Sequence, residues 1–167
     1  MGTPPPLTDS EDEFWRALAL VLHTLPRTLE NDLQTEANIS SPEYAALKGM
    51  ASDGQDGLSI NELAAIVGLS PSRTSRLADA LVARGEAERR QGAMDRRSQL
   101  VTITEKGLDR LRMADPHYLA SVRRRILDHI DSNDYVLLTQ ALRTIVEEPV
   151  DQHDSPDERI ASRQLSA

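Results

Sequence analysis

Two arginines and two serines stand close together at Ser72, Arg73, Ser75 and Arg76. In a helix Arg73 and Arg76 are neighbours, because residues three apart lie on the same side. A guanidinium keeps its charge and donates hydrogen bonds as a rigid fork, which suits phosphate oxygens and the paired acceptors on the edge of guanine. The alternative is that these side chains only solubilise a helix surface. The choice depends on the elements that position them.

The residues around this cluster predict two short helices. Ser59 and Glu62 form a capping box, in which each side chain bonds the backbone amide of the other. Gly68 supplies the left-handed residue that ends the first helix. Ser70 is expected to cap the second helix, with Pro71 at its first position, where a missing N–H costs nothing. Two short helices joined by a tight turn predict a helix-turn-helix.

The second helix has an apolar side and a polar side. Its inward positions are Thr74, Leu77, Ala78 and Leu81, and its outward positions are Ser72, Arg73, Ser75 and Arg76.

A β-hairpin is expected next. Gly85 ends the second helix, Ala87–Gln91 can form a strand, and the β-branched alternation of Gln99–Thr104 predicts a returning strand. The turn between the strands carries the polar run Asp95, Arg96 and Arg97. A helix-turn-helix followed by a hairpin with a basic tip is a winged helix.

Amphipathic helices are expected before this module. Asp9 or Ser10 is expected to cap the first, and Pro26 to kink it. Its apolar residues recur at a spacing of three and four, at Phe14, Leu18, Val21, Leu22, Leu25, Leu29 and Leu33. A second helix is expected to begin with Ser41 as its N-cap and Pro42 at its first position.

Further helices are expected after the hairpin. A long helix from Glu105 to about Ile130 should kink or divide near Asp115, because Pro116 interrupts it. The basic triplet at residues 123–125 suits an ordinary surface or an acidic partner. Ser132 or Asp134 is expected to cap a last apolar helix that Pro149 stops.

The module resembles the DNA-binding core of the MarR family of bacterial transcription regulators over roughly residues 58–112. The resemblance is carried by Leu63-Ala64, Gly68-Leu69-Ser70, residues 76–81, Arg84-Gly85, residues 95–98 and residues 102–107. The flanking helices match only in placement and length. The resemblance implies a mainly α fold with a small β-hairpin wing, in which long dimerisation helices flank a winged helix-turn-helix domain.

The implied organisation has five parts. They are a disordered arm at 1–8, N-terminal helices for dimerisation and support at 9–53, the DNA-binding domain at 54–112, C-terminal dimerisation helices at 113–148, and an acidic tail at 149–167 that could add a short helix.

The expected DNA contacts come from both parts of the module. Arg73 and Arg76 are the main candidates for the major groove. Family-like roles at the hairpin tip are insertion of Arg97 into the minor groove, orientation of Arg97 by Asp95, and backbone contact by Arg96. The alternative for the tip is a turn whose charges stay hydrated. The full set of candidates is Ser70, Ser72, Arg73, Ser75, Arg76, Asp95, Arg96 and Arg97.

A single winged helix covers too little DNA for typical regulatory affinity, so we expect a homodimer that reads a pseudo-palindromic operator in double-stranded DNA. The resemblance implies repression and release by a small phenolic or anionic ligand. Candidate ligand contacts are Trp15, His23, Arg27, Tyr44 and His117. A lone histidine on an apolar stripe, such as His23, is more often a satisfied, partly buried side chain.

The charge is unevenly distributed. The chain carries −8 overall, but residues 68–112 hold ten basic and six acidic residues, a local balance of +4 that leaves −12 elsewhere. A positive module on an acidic body favours a polyanionic partner at that module. A mixed-charge solvated surface is the alternative.

Composition excludes some classes of site. There are no cysteines, so disulfides and thiolate zinc sites are excluded. The four histidines have no metal-ligand spacing, and no enzyme motif is present, so we expect no metal, no cofactor and no catalytic residue. No membrane span or signal peptide is evident, and a cytoplasmic location follows by default.

Two other functions remain open. A winged helix can dock an acidic protein instead of DNA, and winged-helix regulators of other families share the module. Strong salt dependence of duplex binding would favour DNA.

Overall fold

The structure, a computed structural model, describes residues 3, 5–53, 57–91 and 99–147. The described residues form α1 (Asp9–Ala37), α2 (Ser41–Asp53), β1 (Leu58–Ser59), α3 (Ile60–Val67), α4 (Pro71–Ala83), β2 (Ala87–Gln91), β3 (Gln99–Ile103), α5 (Glu105–Arg125) and α6 (Tyr135–Glu147). The chain divides into two compact units, Met1–Ile126 and Leu127–Ala167. The first unit contains everything from α1 to α5, and the second contains α6.

The first helix begins at a different cap from the one predicted. Thr8, rather than Asp9 or Ser10, is the N-cap of α1. The Thr8 amide donates to a Glu11 carboxylate oxygen at 2.7 Å, and the Glu11 amide donates to the Thr8 hydroxyl at 3.4 Å. This capping box satisfies two amides at once. Ser10 and Glu13 have the same spacing, so the local pattern alone does not choose between Thr8 and Ser10. The helix continues through Pro26 to Ala37.

The second helix also begins one residue earlier than expected. The Ser40 amide donates to a Glu43 carboxylate oxygen at 3.1 Å, and the Glu43 amide donates to the Ser40 hydroxyl at 3.4 Å. Ser40 therefore caps α2 in place of Ser41, and Pro42 lies one position further inside. Proline is still tolerated there, because the first-turn amides of a helix have no intrahelical acceptor.

The predicted helix-turn-helix is confirmed. Ser59 and Glu62 form the expected capping box of α3, and Gly68 ends that helix with φ +69°. Ser70 and Pro71 occupy the N-cap and first position of α4, as predicted. The Ser70 hydroxyl, however, makes no capping hydrogen bond and lies 3.3 Å from the Ser72 hydroxyl.

The sheet has three antiparallel strands in the order β1–β3–β2. Leu58 pairs with Val101, and Ala87 pairs with Ile103. β3 ends one residue before its predicted limit, because Thr104 is the N-cap of α5. Its hydroxyl accepts from the Gly107 amide at 3.2 Å and donates to the Gly85 carbonyl at 2.7 Å.

The long helix after the wing is not divided. We expected either a kink or two helices meeting near Asp115. Because α5 continues through Pro116 to Arg125, the prediction of two separate helices is wrong. Buried Ala114 and Ser121 anchor the helix on both sides of the proline. The helix ends five residues before the predicted Ile130, where two 3₁₀ turns, Leu127–His129 and Ser132–Asp134, precede α6. The Asp131 side chain caps the second turn by accepting from the Asn133 amide at 2.9 Å, and Asp134, one of the two predicted caps of the last helix, directly precedes α6.

The core of the first unit lies between the supporting helices and the winged module. Its buried apolar residues are Leu33, Ile39, Tyr44, Ala46, Leu47, Met50, Leu58, Leu63, Ala78, Leu81, Ala87, Val101 and Ala114. The small sheet and α4 are therefore fixed on α2 and α5 by one continuous apolar cluster. None of the helices in the described ranges combines the length and apolar content that a membrane crossing requires.

Candidate nucleic-acid interface

The exposed side of α4 follows from its buried side. Thr74, Ala78 and Leu81 are fully buried, and the Thr74 hydroxyl donates to the Ser70 carbonyl at 3.1 Å, which completes the first turn. Because these residues face the core, the opposite side of α4 presents the predicted candidates to solvent. Arg73 and Arg76 are both exposed there.

Arg73 and Arg76 differ from the other cations of the module. Within residues 68–91 and 99–112, they are the two cationic side chains that have neither an ion pair nor a hydrogen bond. The others are held by the protein: Arg84 by Glu43 and Glu86, Arg89 by Asp79, Arg90 by Glu88, Arg110 by Glu43 and Glu86, Arg112 by Glu105 and Asp109, and Lys106 by the Arg84 carbonyl. Pairing leaves the balance of +4 within residues 68–112 unchanged, but among the described residues of that range it leaves Arg73 and Arg76 as the guanidiniums with free hydrogen-bonding capacity.

The three serine candidates have different surroundings. Ser72 and Ser70 are exposed at the start of α4, with their hydroxyls 3.3 Å apart. Ser75 is half-buried, and its hydroxyl accepts a hydrogen bond of 3.3 Å from Arg89 on β2. Ser75 thus contacts the root of the wing. The candidates at the wing tip, Asp95, Arg96 and Arg97, lie outside the described residues.

A charge network joins α4 to the supporting helices. Arg84, directly after α4, donates to Glu43 of α2 at 2.6 Å and to Glu86 at 3.0 Å. Arg110 of α5 donates to Glu86 at 2.8 Å. Burial raises the pKa of Glu43, but hydrogen bonds from Ser40 and Arg84 outweigh it, so the pKa is lowered and the carboxylate stays charged.

This network was not predicted from the sequence, where Arg84, Glu86 and Arg110 entered only as charges of the module. One local signal was present: Glu86 directly precedes the predicted strand Ala87–Gln91, and an acidic residue that becomes buried there needs a cationic partner.

An open cleft of about 770 Å³ lies between α1, α2, α3 and α5. Its wall is mostly apolar, with Leu25, Pro26 and Leu29 on one side and Ile66 on another. Tyr44 and Tyr118 stack there with ring centroids 4.4 Å apart. The Lys48 ammonium is 5.2 Å from the centre of the Tyr44 ring and 3.0 Å from an Asp115 carboxylate oxygen. The cleft therefore combines an aromatic surface with one cation.

The five predicted ligand contacts do not converge on this cleft. Tyr44 is the one that lines it. Trp15 is exposed on α1, His23 and Arg27 line a separate shallow depression on α1, and His117 faces Glu36 at 3.5 Å. Five residues scattered over α1, α2 and α5 cannot be placed around one pocket by helical spacing alone. Lys48 and Tyr118, which do line the cleft, were not among the candidates.

Metal binding gains no support from the described part of the chain, where no group of three or more histidine and carboxylate side chains is positioned to hold an ion. The predicted metal-free, cofactor-free character stays a prediction.

Known proteins are similar to this chain in both sequence and fold. A model of the MarR family matches residues 37–98. The transcriptional repressor MprA of Escherichia coli is 32% identical over 99 residues, which cover 58% of this chain and 56% of MprA, so the match spans little more than half of that repressor.

Two crystal structures from Streptomyces coelicolor cover most of the chain. The MarR-family regulator AbsC is 31% identical, with a TM-score of 0.78 over 86% of this chain and 97% of AbsC. Sco3205, a MarR-family regulator crystallised with DNA, is 26% identical, with a TM-score of 0.79 over 92% of this chain and 98% of Sco3205. This similarity resolves the choice among winged-helix families. The chain belongs to the MarR family of winged-helix transcriptional regulators.

Proposed function

We propose that the protein is a homodimeric repressor that binds a pseudo-palindromic DNA operator and releases it when a small anionic aromatic ligand binds. The observation that carries the DNA-binding part is the exposed pair Arg73 and Arg76 on α4. These guanidiniums have no partner among the described residues, so their hydrogen-bonding capacity is available to DNA. We propose Ser70 and Ser72 as auxiliary contacts and the wing residues Asp95, Arg96 and Arg97 as the minor-groove element.

The complex of Sco3205 with DNA supports this assignment, because that regulator shares the fold at 26% identity. Phosphate contacts supply affinity that falls with salt, and base contacts supply preference. A recognition helix with two free arginines and short hydroxyls can supply both.

Two-fold pairing is supported by apolar side chains that α1 and α6 leave exposed. On α1, Phe14, Trp15, Leu20 and Leu22 are between 55% and 64% exposed. On α6, Val136, Leu137, Leu142, Ile145 and Val146 are between 55% and 83% exposed. Large apolar side chains left exposed in this number indicate an interface, and a two-fold dimer would present two copies of α4 to successive major grooves.

The cleft beside Lys48 supports the ligand part of the proposal. Its volume of about 770 Å³ suits a small molecule, and its apolar wall suits a ring. A ligand carboxylate would compete with Asp115 for the Lys48 ammonium, which lies 3.0 Å from Asp115. Since Lys48 and Asp115 join α2 to α5, such competition would change the support of the winged module.

The first experiment selects bound duplexes from a random pool with the purified protein. We expect an inverted repeat, and we expect Arg73→Ala and Arg76→Ala to weaken binding and to lower base discrimination by about 1–3 kcal/mol. Arg112→Ala removes the same charge from an arginine that is paired with Glu105 and Asp109, so it should leave base preference unchanged. Recovery of no preferred duplex, or binding insensitive to salt, would contradict the proposal and favour a protein partner.

The ligand part is tested by calorimetry with benzoate and with benzyl alcohol, a neutral molecule of similar shape. We expect benzoate to bind more tightly than the alcohol, to release operator DNA, and to lose this advantage in Lys48→Met. Equal affinity for the two molecules would overturn the assignment of Lys48 as the anion contact.

A further inference from the structure

We propose that Arg89 is a positioning residue that fixes the wing to the recognition helix and thereby determines how well the protein discriminates its operator from other DNA. The inference rests on the proposed function. It concerns a residue that belongs to neither the exposed arginine pair nor the wing tip.

The Arg89 guanidinium joins three elements. From β2, Nη2 donates to an Asp79 carboxylate oxygen at 2.7 Å and to the Ser75 hydroxyl at 3.3 Å, both on α4. Nε donates to the same Asp79 oxygen at 3.2 Å. Nη1 donates to the side-chain oxygen of Gln99 on β3 at 3.3 Å. All three nitrogens therefore have acceptors within the protein.

The register of the sheet explains why one side chain can reach all these acceptors. Arg89 pairs with Val101, so Gln99 is its diagonal neighbour on the same face of β3. On α4, Ser75 and Asp79 are four residues apart and therefore lie on one face of the helix. Ser72 precedes Ser75 by three residues, and Arg76 precedes Asp79 by three, so both lie on the same face. Arg89 thus binds the recognition helix next to Ser72 and Arg76, two of the proposed DNA contacts.

Electrostatics also favours a positioning role over direct phosphate contact. Asp79 is 63% exposed, so an unpaired Asp79 carboxylate would repel a phosphate backbone that approaches α4. Arg89 is only 24% exposed and neutralises this carboxylate. If the Arg89 guanidinium left Asp79 to bind phosphate, the Asp79 carboxylate would be unpaired and would repel the same phosphate. The ion pair with Asp79 is therefore favoured over direct phosphate contact.

The neighbouring residue Arg90 provides a matched control. It lies on the same strand, its side chain is 57% exposed, and its ion-pair partner is Glu88 of that strand. Arg89→Gln and Arg90→Gln remove equal charge one position apart, and only the first removes a contact with α4. Any difference between the variants therefore reports the contact and not the charge.

The experiment measures the affinity of full-length wild type and variants for the selected operator and for a scrambled duplex over a range of salt concentrations. We expect Arg89→Gln to weaken binding to both duplexes, because Asp79 loses its partner, but to weaken operator binding roughly tenfold more than scrambled-duplex binding, so that the specificity ratio falls. Arg90→Gln should keep the wild-type ratio. Arg89→Lys should give an intermediate ratio, because a point charge reaches Asp79 but cannot reproduce the fork.

A double-mutant cycle tests the partner. If Arg89 acts through Asp79, Arg89→Gln combined with Asp79→Asn should cost no more than Arg89→Gln alone. Equal specificity ratios for Arg89→Gln and Arg90→Gln would overturn the inference. So would equal losses on both duplexes with a smaller salt slope, because that result identifies a phosphate contact. If wild type itself shows no preferred duplex, the proposed function is wrong. If wild type discriminates and Arg89→Gln keeps the same specificity ratio, only this inference is wrong.

Discussion

The Tyr44 hydroxyl donates a hydrogen bond of 2.5 Å to an Asp115 carboxylate oxygen, which joins α2 to α5 at the edge of the cleft. Lys48 donates to both groups, at 2.9 Å to the Tyr44 oxygen and at 3.0 Å to Asp115. Burial, with the Asp115 hydrogen bond, raises the pKa of Tyr44 to about 12, and hydrogen bonds from Tyr44 and Lys48 lower the pKa of Asp115. At neutral pH the phenol is therefore a donor and the carboxylate an acceptor.

Removal of this phenol should weaken the junction between α2 and α5. We expect Tyr44→Phe to lower the free energy of unfolding by about 1–2 kcal/mol, since Asp115 loses its shortest hydrogen bond. Urea denaturation at a fixed protein concentration measures the change. Tyr118→Phe makes the same chemical change on the other ring of the stack, whose hydroxyl has no partner among the described residues, and should cost less. If both variants lost the same free energy of unfolding, the effect would come from the stacked rings and not from the hydrogen bond to Asp115.

A close backbone approach at Gly107 gives a second prediction. A Cβ added there would lie 2.1 Å from the Glu86 carbonyl oxygen and 2.7 Å from Cγ1 of Ile103. Since a backbone carbonyl cannot move aside cheaply, Gly107→Ala should destabilise the protein by at least about 2 kcal/mol despite the gain in helix propensity.

Gly49→Ala is the control for helix propensity. Its Cβ would meet only the side chain of Ile66, at 3.0 Å, and Ile66 is 46% exposed and able to move. Its stability, from the same urea titration, should stay within about 1 kcal/mol of wild type. A stable Gly107→Ala variant would show that β2 and α5 separate more easily than the structure indicates.

Local signals predicted most of the winged module. Capping residues Ser59 and Glu62, Gly68 at the turn, and Pro71 at the start of α4 each act within a few residues, so their effect can be read from sequence. The error at the start of α2 has a local cause: Glu43 lies three residues after Ser40 and completes a capping box with it, whereas Ser41 has Tyr44 at that position. At the start of α1, Thr8 with Glu11 and Ser10 with Glu13 have the same pattern, so the sequence does not choose between them.

Long-range pairing was not predictable in the same way. Arg84 and Glu43 are 41 residues apart, and Arg110 and Glu86 are 24 apart, so no local pattern links them. The same limitation explains why Tyr44 was identified as a ligand contact without Lys48 or Tyr118. The cleft forms only when α1, α2, α3 and α5 pack together.

The basic triplet shows an intermediate case. One helix cannot direct three successive residues to one side, which favoured an ordinary surface role or an acidic partner over phosphate contact. The acidic partner is confirmed for Arg124 and Arg125. Both donate to Asp32 of α1, at 3.1 Å from Arg124 and at 3.0 Å twice from Arg125. The identity of Asp32 as the partner required the structure.

Asp32 predicts how stability depends on pH. Hydrogen bonds from Arg125 and then Ser121 hold the pKa of Asp32 well below its usual range. Because the folded pKa lies below the unfolded value of about 4, the ionised group stabilises the fold fully above that pH, and the stabilisation is lost as the pH falls toward the folded pKa. Asp32→Asn should therefore cost about 1–2 kcal/mol at pH 7 and less near pH 3.

Urea titrations of wild type and Asp32→Asn at both pH values measure this difference at equal protomer concentration. Asp12→Asn, which removes a carboxylate whose partner Arg16 is 77% exposed, provides the control and should change stability little. A cost for Asp32→Asn that does not shrink at low pH would contradict the assigned ionisation.

The exposed side of α6 gives the last prediction, which concerns the proposed dimer. Leu138, Leu142 and Ile145 follow a spacing of four and three along this helix and are 40%, 55% and 58% exposed. If this stripe lies in a two-fold interface, Leu142→Glu introduces a charge into each copy and should weaken dimerisation on the order of 100-fold or more.

Sedimentation velocity over a range of protein concentrations measures the shift from dimer to monomer. Gln140→Glu adds the same charge at an exposed polar position of α6 and should leave the dimer intact. Operator affinity should fall together with dimerisation in Leu142→Glu, because two half-sites would no longer be bound by one assembly. A Leu142→Glu protein that remained dimeric with normal operator binding would exclude this side of α6 from the interface.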